Sequence, residues 1–557
     1  LEPLIALSFW ISCLMAGFFA EHSQRVQTLL LHGRLLTVHV QHVAPIQTIL
    51  SSIVSGEQTV TILQALKTLA AYNGERRQTI GLDDASILRF AAEDPRLEAA
   101  VRAAVLAHDD LVRSHDAVLR LDEARQVEFL QDGYVNFYSP ETVNPYVPIA
   151  AQGPWIVTSC GAVVFDAGGY GMLGQGHNPP EVLQALANPQ VMANIMTASF
   201  WHRELMDALR KEIGHRRPPN KRQPFKRFLS LNSGSEAMTL ALRISDANAY
   251  QLTAPGGRHE GKVIKMLSFK GSFHGRTDRP AQASASSMPK YQANLASFRR
   301  LSNLVTIPPN DIGALEQAFQ DAERNGVFLE ALLFEPVMGE GNPGLALDPQ
   351  FYKRARKLAN EHGSLIIIDA IQAGIRAHGC LSLVDYPEFE DLDPPDLETY
   401  SKALNAGQFP LSVVAFGPRA QDLYAAGTYG NTMTGNPRTA AVACSVLASL
   451  TPSLRANIVD RGREAVTRFQ ALSKEFPEVI DYAQGTGLLF SVAINPKVFS
   501  VVGKDGLEIW LRERGIGVIH GGTNSLRYTP VFDITSAQIG LLVDGLRQAI
   551  LSAPRRT

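Results

Sequence analysis

The chain has no surplus of charge. Lys and Arg number 52 against 54 Asp and Glu, a formal net charge of −2, so no electrostatic argument points to nucleic acid or an anionic membrane as partner. Cysteine is scarce: Cys13, Cys160, Cys380 and Cys444 stand far apart, with neither metal-ligand spacing nor a disulfide pattern, so no metal is expected and a reducing, cytoplasmic compartment fits best. Internal repeats and low-complexity tracts are absent, which excludes solenoids, fibres and disordered scaffolds. Long apolar runs are also missing except from Leu4 to Ala20. That run falls short of the ~20 residues of a membrane span, no basic segment precedes it, and Glu2 carries the opposite charge. It reads as a buried helix, or the tail of an upstream domain, rather than an anchor.

What is present is the composition of a globular enzyme. The 557 residues are 45% hydrophobic and 19% charged, with 44 Gly and 32 Pro, enough for several domains or subdomains of about 100–200 residues each. Residues 1–130 carry few helix breakers and no sustained strand-like alternation, and read as a helical N-terminal extension. Leu97, Val101, Val105, His108, Val112, His115 and Leu119 recur every three or four positions, predicting one face of an amphipathic helix. His108 and His115 lie too far apart on that face, with no acid or Cys beside them, to bind metal. They read as core or interface residues, as do His32, His39 and His42.

From residue 131 the texture turns to Gly, Pro and aromatics, and 131–220 is expected to be the N-terminal part of a small domain. Short apolar strands then alternate with helix-patterned stretches across 221–455, the signature of a mostly parallel α/β sheet. Residues 456–557 read as a C-terminal small α/β domain. Active sites in such sheets lie at the carboxyl ends of strands. Asp369 ends the apolar run Leu365-Ile366-Ile367-Ile368, and Glu335 ends Ala331-Leu332-Leu333-Phe334.

Chemistry enters with Lys402, in Ser401-Lys402-Ala403. An amine able to form an imine, with a carboxylate able to keep a pyridinium protonated, is the minimum equipment for pyridoxal phosphate chemistry. Asn232-Ser233-Gly234-Ser235-Glu236 opens a helix-forming run; its N–H groups favour an anion, although Ser233 and Glu236 equally satisfy a capping box. Phe273-His274-Gly275-Arg276-Thr277 offers an aromatic that could lie on a ring or simply pack in a core. Glu335 and Glu340 flank a Gly-bearing strand exit, and Thr432 and Thr434 sit in a polar turn before a helix.

In this order, Asn-Ser-Gly-Ser-Glu-Ala, Phe-His-Gly-Arg-Thr, Glu-Pro-x-x-Gly-Glu-Gly, Asp-x-x-Gln, Ser-Lys-Ala, Thr-x-x-Gly-Asn-Pro and Leu-Arg, the segments resemble the class III (omega) aminotransferases, fold-type I pyridoxal phosphate enzymes, over about residues 150–545. The resemblance implies a large, mostly parallel sheet domain and a small α/β domain, here preceded by an all-α extension without a counterpart in the family. It implies pyridoxal 5′-phosphate as cofactor, an amine or omega-amino acid as donor, and a 2-oxo acid or aldehyde as acceptor.

Carried over residue by residue, Lys402 is the imine-forming lysine and Asp369 the partner of the pyridine nitrogen. Gln372 sits beside the ring hydroxyl, and Ser233, Gly234 and Ser235 cradle the phosphate. Phe273 stacks on the ring, with His274 beside it, and Thr432 reaches the phosphate of the neighbouring subunit in a homodimer with shared sites. Arg527 receives a substrate carboxylate, and Glu340 masks it. The same fold also serves racemases, decarboxylases and aminomutases, and a non-catalytic interaction protein is a further alternative. The family commonly reads Asp-Glu-Val-Gln-Thr-Gly-x-x-Arg-Thr-Gly where this chain has Asp369-Ala370-Ile371-Gln372-Ala373-Gly374-Ile375-Arg376-Ala377-His378-Gly379. A charge pair near the cofactor is therefore expected to be absent or rebuilt.

Overall fold

The computed structural model describes residues 61–556. The run Leu4–Ala20, Cys13, His32, His39 and His42 lie outside the described residues. Strands β1 (Pro148–Gln152), β2 (Trp155–Thr158) and β3 (Val163–Asp166) form an antiparallel meander early in the chain. The central sheet follows: β4 (Arg227–Leu231), β5 (Val263–Phe269), β6 (Leu304–Ile307), β7 (Val327–Phe334), β8 (Leu365–Asp369), β9 (Leu397–Tyr400) and β10 (Ser412–Phe416). Their order is β4-β10-β9-β8-β7-β5-β6, and β10 alone runs against its neighbours. Later come β11 (Ile480–Thr486), β12 (Leu489–Ile494), β13 (Ile516–Gly517), β14 (Ile519–Gly521) and β15 (Ser525–Tyr528). The order β11-β12-β15-β14 makes an antiparallel sheet, while β13 joins β3 in parallel.

The central strands are apolar on both faces because both faces are covered. Ile366 and Ile368 point to a cluster with Phe334, Phe351 and Tyr352, and the alternating Leu365 and Ile367 point to one with Leu240, Ala241 and Met266. The helix Pro349–His362 covers the first face and Gly234–Thr253 the second. This α/β architecture agrees with the fold class read from the sequence.

Among the described residues, four helices precede the first strand: α1 (Ile62–Tyr72), α2 (Asp84–Glu93), α3 (Pro95–Leu119) and α4 (Glu123–Gln131). They are joined to the β1–β3 sheet by buried polar contacts. Trp155 Nε1 donates to Asp94 at 2.8 Å, and Ser159 Oγ donates to Gln126 Oε1 at 2.7 Å. Glu123 accepts the backbone N–H groups of Gln78 and Thr79. Gly161 has φ +70°, and a Cβ there would lie 2.3 Å from the Leu66 carbonyl, so the β2–β3 turn reaches α1 only without a side chain.

The predicted α3 face is buried from Leu97 to His108, but His115 is exposed at a break in the helix with φ −139°. Ser114 Oγ bonds back to the Asp110 carbonyl and also meets His115 Nδ1, a local competition of the kind that bends helices. His108 packs edge-on to Tyr72, and burial pushes its imidazole down to about 4. It behaves as a neutral core residue. No group of His, Cys, Asp or Glu able to hold a metal exists among the described residues. No single described helix is long and apolar enough to cross a membrane.

The Gly161 contact yields a stability test. Gly161→Ala should destabilise the protein by about 1–3 kcal/mol, as expected for a side chain forced into positive φ against backbone. The readouts are a lower apparent Tm and earlier proteolytic cleavage within residues 61–131; wild-type values for both would contradict the packing described.

Candidate active site

A cavity of about 920 Å³ opens at the carboxyl ends of the central strands. Parallel pairing sets Asp369, at the end of β8, opposite Thr399 on β9, so the segment that follows β9 delivers Lys402 to the same rim. Lys402 has φ +39°, an uncommon backbone for a side chain and one that the surrounding packing must hold. Its Nζ donates to Gln372 Oε1. Burial, opposed by Glu340 and assisted by Arg527, brings the Lys402 amine down to about 8. A useful fraction is thus nucleophilic near neutral pH.

Asp369 is braced on both sides. Its Oδ1 accepts the Ile371 N–H at 3.2 Å, and its Oδ2 lies 3.0 Å from His274 Nδ1. Both side chains are buried. Nearby, Glu335 accepts the N–H groups of Phe273 at 3.2 Å and Gly339 at 2.8 Å. Burial, partly offset by His274, pushes the Glu335 carboxyl up to about 7.

The turn after β4, Asn232 to Ser235, lines one end of the cavity. Ser233 Oγ accepts the Glu236 N–H, and Glu236 returns a carboxylate oxygen to the N–H groups of Asn232 and Ser233. The capping box is therefore real, and it leaves the next N–H groups of the helix without an intrahelical acceptor, which is compatible with an anion there. Gly234 and Gly275 are small for a reason: a Cβ at 234 would lie 2.9 Å from Ile371 Cδ1, and one at 275 would lie 2.7 Å from Ser235 Oγ.

At the opposite end, buried Arg527 pairs with Glu340 at 3.1 Å and donates to the Gly339 carbonyl. Burial tends to raise the Glu340 carboxyl, but Arg527 and Lys402 outweigh it and hold the group below its usual range. Most residues singled out from the sequence thus converge: Lys402, Asp369, Gln372, Ser233, Gly234, Ser235, Phe273, His274 and Glu340 all line this cavity. Thr432 is exposed and takes no part in the cavity wall of its own chain.

Sequence reasoning missed two features. The Arg276 guanidinium lies at the cavity over three aromatic rings, 4.7 Å from Phe273, 5.3 Å from Phe137 and 5.7 Å from Tyr138. The aromatic texture after residue 131 was the available signal, but nothing in it marked contact with a residue so distant in sequence. The second is the bracing of Asp369 by His274, which spacing alone does not encode. The charge pair in question after Asp369 is absent rather than rebuilt: Ala370 and Ala377 are buried, and Arg376 makes no ion pair.

The donor set fits pyridoxal phosphate. An amine and a braced carboxylate face one cavity, two glycines leave room beside a helix N-terminus, and Gln372 Nε2 and His274 Nε2 are buried without a hydrogen-bond partner. Fold and site together define a pyridoxal phosphate-dependent transaminase. The class-III aminotransferase family model matches residues 137–550, and the chain belongs to that family.

Among its relatives, acetylornithine aminotransferase of Xanthomonas axonopodis is 29% identical over 424 residues, covering 75% of this chain and 95% of the relative. Ornithine aminotransferase 2 of Staphylococcus aureus is 27% identical over 414 residues, covering 72% and 93%. The crystal structure of ornithine aminotransferase from Toxoplasma gondii superimposes with a TM-score of 0.65 at 23% identity, covering 79% of this chain and 98% of that one, a likeness of fold.

Because the Lys402 amine is neutral above its depressed pKa, its rate of modification by an amine-directed acylating reagent in the cofactor-free protein should rise with pH and reach half its maximum near pH 8. Mass-spectrometric quantification of the Lys402 peptide checks this; a midpoint near 10.5 would contradict a desolvated amine.

Proposed function

We propose that the protein transfers the amino group of an omega-amino acid or related amine to a 2-oxo acid or aldehyde, with Lys402 carrying the cofactor covalently at rest. The observation that supports this most is the desolvated Lys402 amine sharing one cavity with the braced Asp369. Pyridoxal phosphate, when bound, supplies an aldehyde that condenses with amines and a protonated ring that takes up an electron pair. Lys402 Nζ would hold the cofactor at rest and, once free, would be the base that accepts and holds the proton of the donor carbon. Asp369 would accept the pyridine N–H, with His274 holding Asp369 in place. Gln372 Nε2, free of other partners, would donate to the ring hydroxyl oxygen. Ser233 Oγ accepts from the helix and so would keep its own hydrogen for the phosphate, beside the N–H groups of Gly234 and Ser235. Phe273 would cover one ring face.

At the substrate end, Glu340 masks Arg527 while an uncharged part of the donor enters. It then yields to the carboxylate of a 2-oxo acid, which the planar guanidinium grips by paired hydrogen bonds. The Arg276 cation, stacked on aromatic rings with no ion pair to a carboxylate among the described residues, favours a donor with its own carboxylate. An ornithine-like diamino acid is accordingly the first donor class to assay, in keeping with the names of the relatives.

A homodimer with shared sites belongs to the same reading, Thr432 donating to the phosphate in the neighbouring protomer. Its exposure supports this, as does the exposed apolar group Val191, Met192, Ile195, Met196, Phe200 and Met433 in segments joined by the Ile195 N–H to Thr434 carbonyl bond. A cytoplasmic location is consistent with the free thiols of Cys160, Cys380 and Cys444.

Borohydride reduction of the cofactor-loaded enzyme, followed by peptide mass spectrometry, should locate the cofactor on Lys402. Lys402→Ala should lower transamination by at least about 10²–10⁴-fold, the usual worth of a general base. Arg527→Ala should raise KM for a 2-oxo acid about 10- to 100-fold, the equivalent of a lost charge-assisted contact. Cofactor recovered on another lysine would sink the assignment of Lys402.

A further inference from the structure

Two arginines stand among the largest fully buried side chains, and they are satisfied in opposite ways. Arg527 has Glu340. Arg376 makes no ion pair: Nη1 donates to the carbonyls of Pro530 and Leu488, the latter at 3.3 Å, and Nη2 lies 3.5 Å from the Gly171 carbonyl. Its Cζ sits 5.0 Å from the centre of the Phe532 ring, and its Nε has no partner. Burial pushes its pKa down to about 9, with Asp166 the one acid whose field opposes this; at neutral pH it is still a cation. A buried cation without a carboxylate costs several kcal/mol unless oriented dipoles compensate. Here the dipoles come from three separate segments, so the charge is tolerated only while those segments converge on it.

Each segment leads to the site. Gly171 precedes Met172, which lines the cavity, and a Cβ at Gly171 would lie 2.9 Å from Gln372 Nε2. Pro530 closely follows β15, the strand that carries Arg527. Leu488 lies in the turn of the β11–β12 hairpin, and its N–H donates to the Arg376 carbonyl at 3.0 Å. The first two segments are further laced by Gly171 N–H to Thr529 Oγ1 at 3.2 Å and Phe532 N–H to the Gly174 carbonyl at 2.6 Å.

We propose that Arg376 is a positioning residue for Arg527, clamping the Gly171–Met172 wall to the end of β15 and thereby setting the affinity for carboxylate-bearing substrates. The proposal rests on the reading of Arg527 as the carboxylate receiver. In this chain Ala370 and Ala377 replace the Glu and Arg of the family pattern, and the neighbouring Arg376 is held by backbone carbonyls. A planar fork can reach several carbonyls at once, and an ammonium cannot reproduce that span.

The test uses the cofactor-loaded enzyme with 2-oxoglutarate as a carboxylate-bearing acceptor and pentanal as one without. Arg376→Met should raise KM for 2-oxoglutarate about tenfold while kcat stays within about twofold, with KM for pentanal and bound cofactor unchanged. Arg376→Lys should fall between Met and wild type. Equal losses with both acceptors, or loss of cofactor, would make Arg376 merely structural and overturn the proposal. If Arg376→Met does not fold, Arg376→Lys decides: the same split in KM supports the clamp, and wild-type KM rejects it. Arg527→Lys, assayed beside them, tests the underlying reading by itself, because an unchanged KM for 2-oxoglutarate in that variant removes Arg527 as receiver whatever Arg376 does.

Discussion

The structure depends on keeping one amine out of water. Lys402 is reactive because burial strips its charge of hydration, and it stays in place because Gln372 accepts from its Nζ while Glu340 and Asp369 supply opposing charge. Such a balance is fragile. Full desolvation without those carboxylates would expel the side chain or weaken the fold, whereas a closer ion pair would restore an ordinary, protonated lysine. The site avoids both by giving each carboxylate another partner. Asp369 is bonded to His274 and the Ile371 N–H, and Glu340 to Arg527.

That arrangement needs backbone segments from distant parts of the chain to approach more closely than side chains permit. A Cβ at Gly341 would lie 2.1 Å from the Gly271 carbonyl, and one at Gly339 would lie 2.6 Å from Gln372 Cγ. These contacts bring the loop bearing Glu340 against both the Phe273 segment and the Gln372 wall of the cavity. Glu335 reinforces the same junction, since its two oxygens take N–H groups from Phe273 and Gly339. The Arg527–Glu340 pair and the Lys402–Asp369 end of the cavity are therefore parts of one packed unit.

The family match begins at residue 137, yet the helices before it bear on the same site. α4 is held to the β2–β3 turn through Gln126 and Ser159, and the chain then runs directly to Phe137 and Tyr138 at the cavity. Their rings lie against Arg276. The extension, through Gln126, thus anchors the segment that leads to the first matched residues, Phe137 and Tyr138, in the cavity wall.

The central strands and the covering helices were legible because apolar periodicity reports burial directly: Leu365 to Ile368 alternate between two cores exactly as a strand covered on both faces must. That the chosen site residues would meet was also legible, since imine formation, anion binding and carboxylate recognition each demand particular side chains at strand ends and helix starts, and most of those residues line one cavity. Local pattern could not reveal the break at His115, where side-chain bonding to the backbone overrides periodicity. Nor could it show the partners of His274, Arg276 and Arg376, which are far away in sequence. By itself, then, the sequence determined the fold class and the cofactor chemistry, because both are written in local residue types and their order. Tertiary structure alone decided the pKa of Lys402, the bracing of Asp369 and the carbonyl cage of Arg376, because desolvation and through-space charge depend on which distant segments the fold brings together.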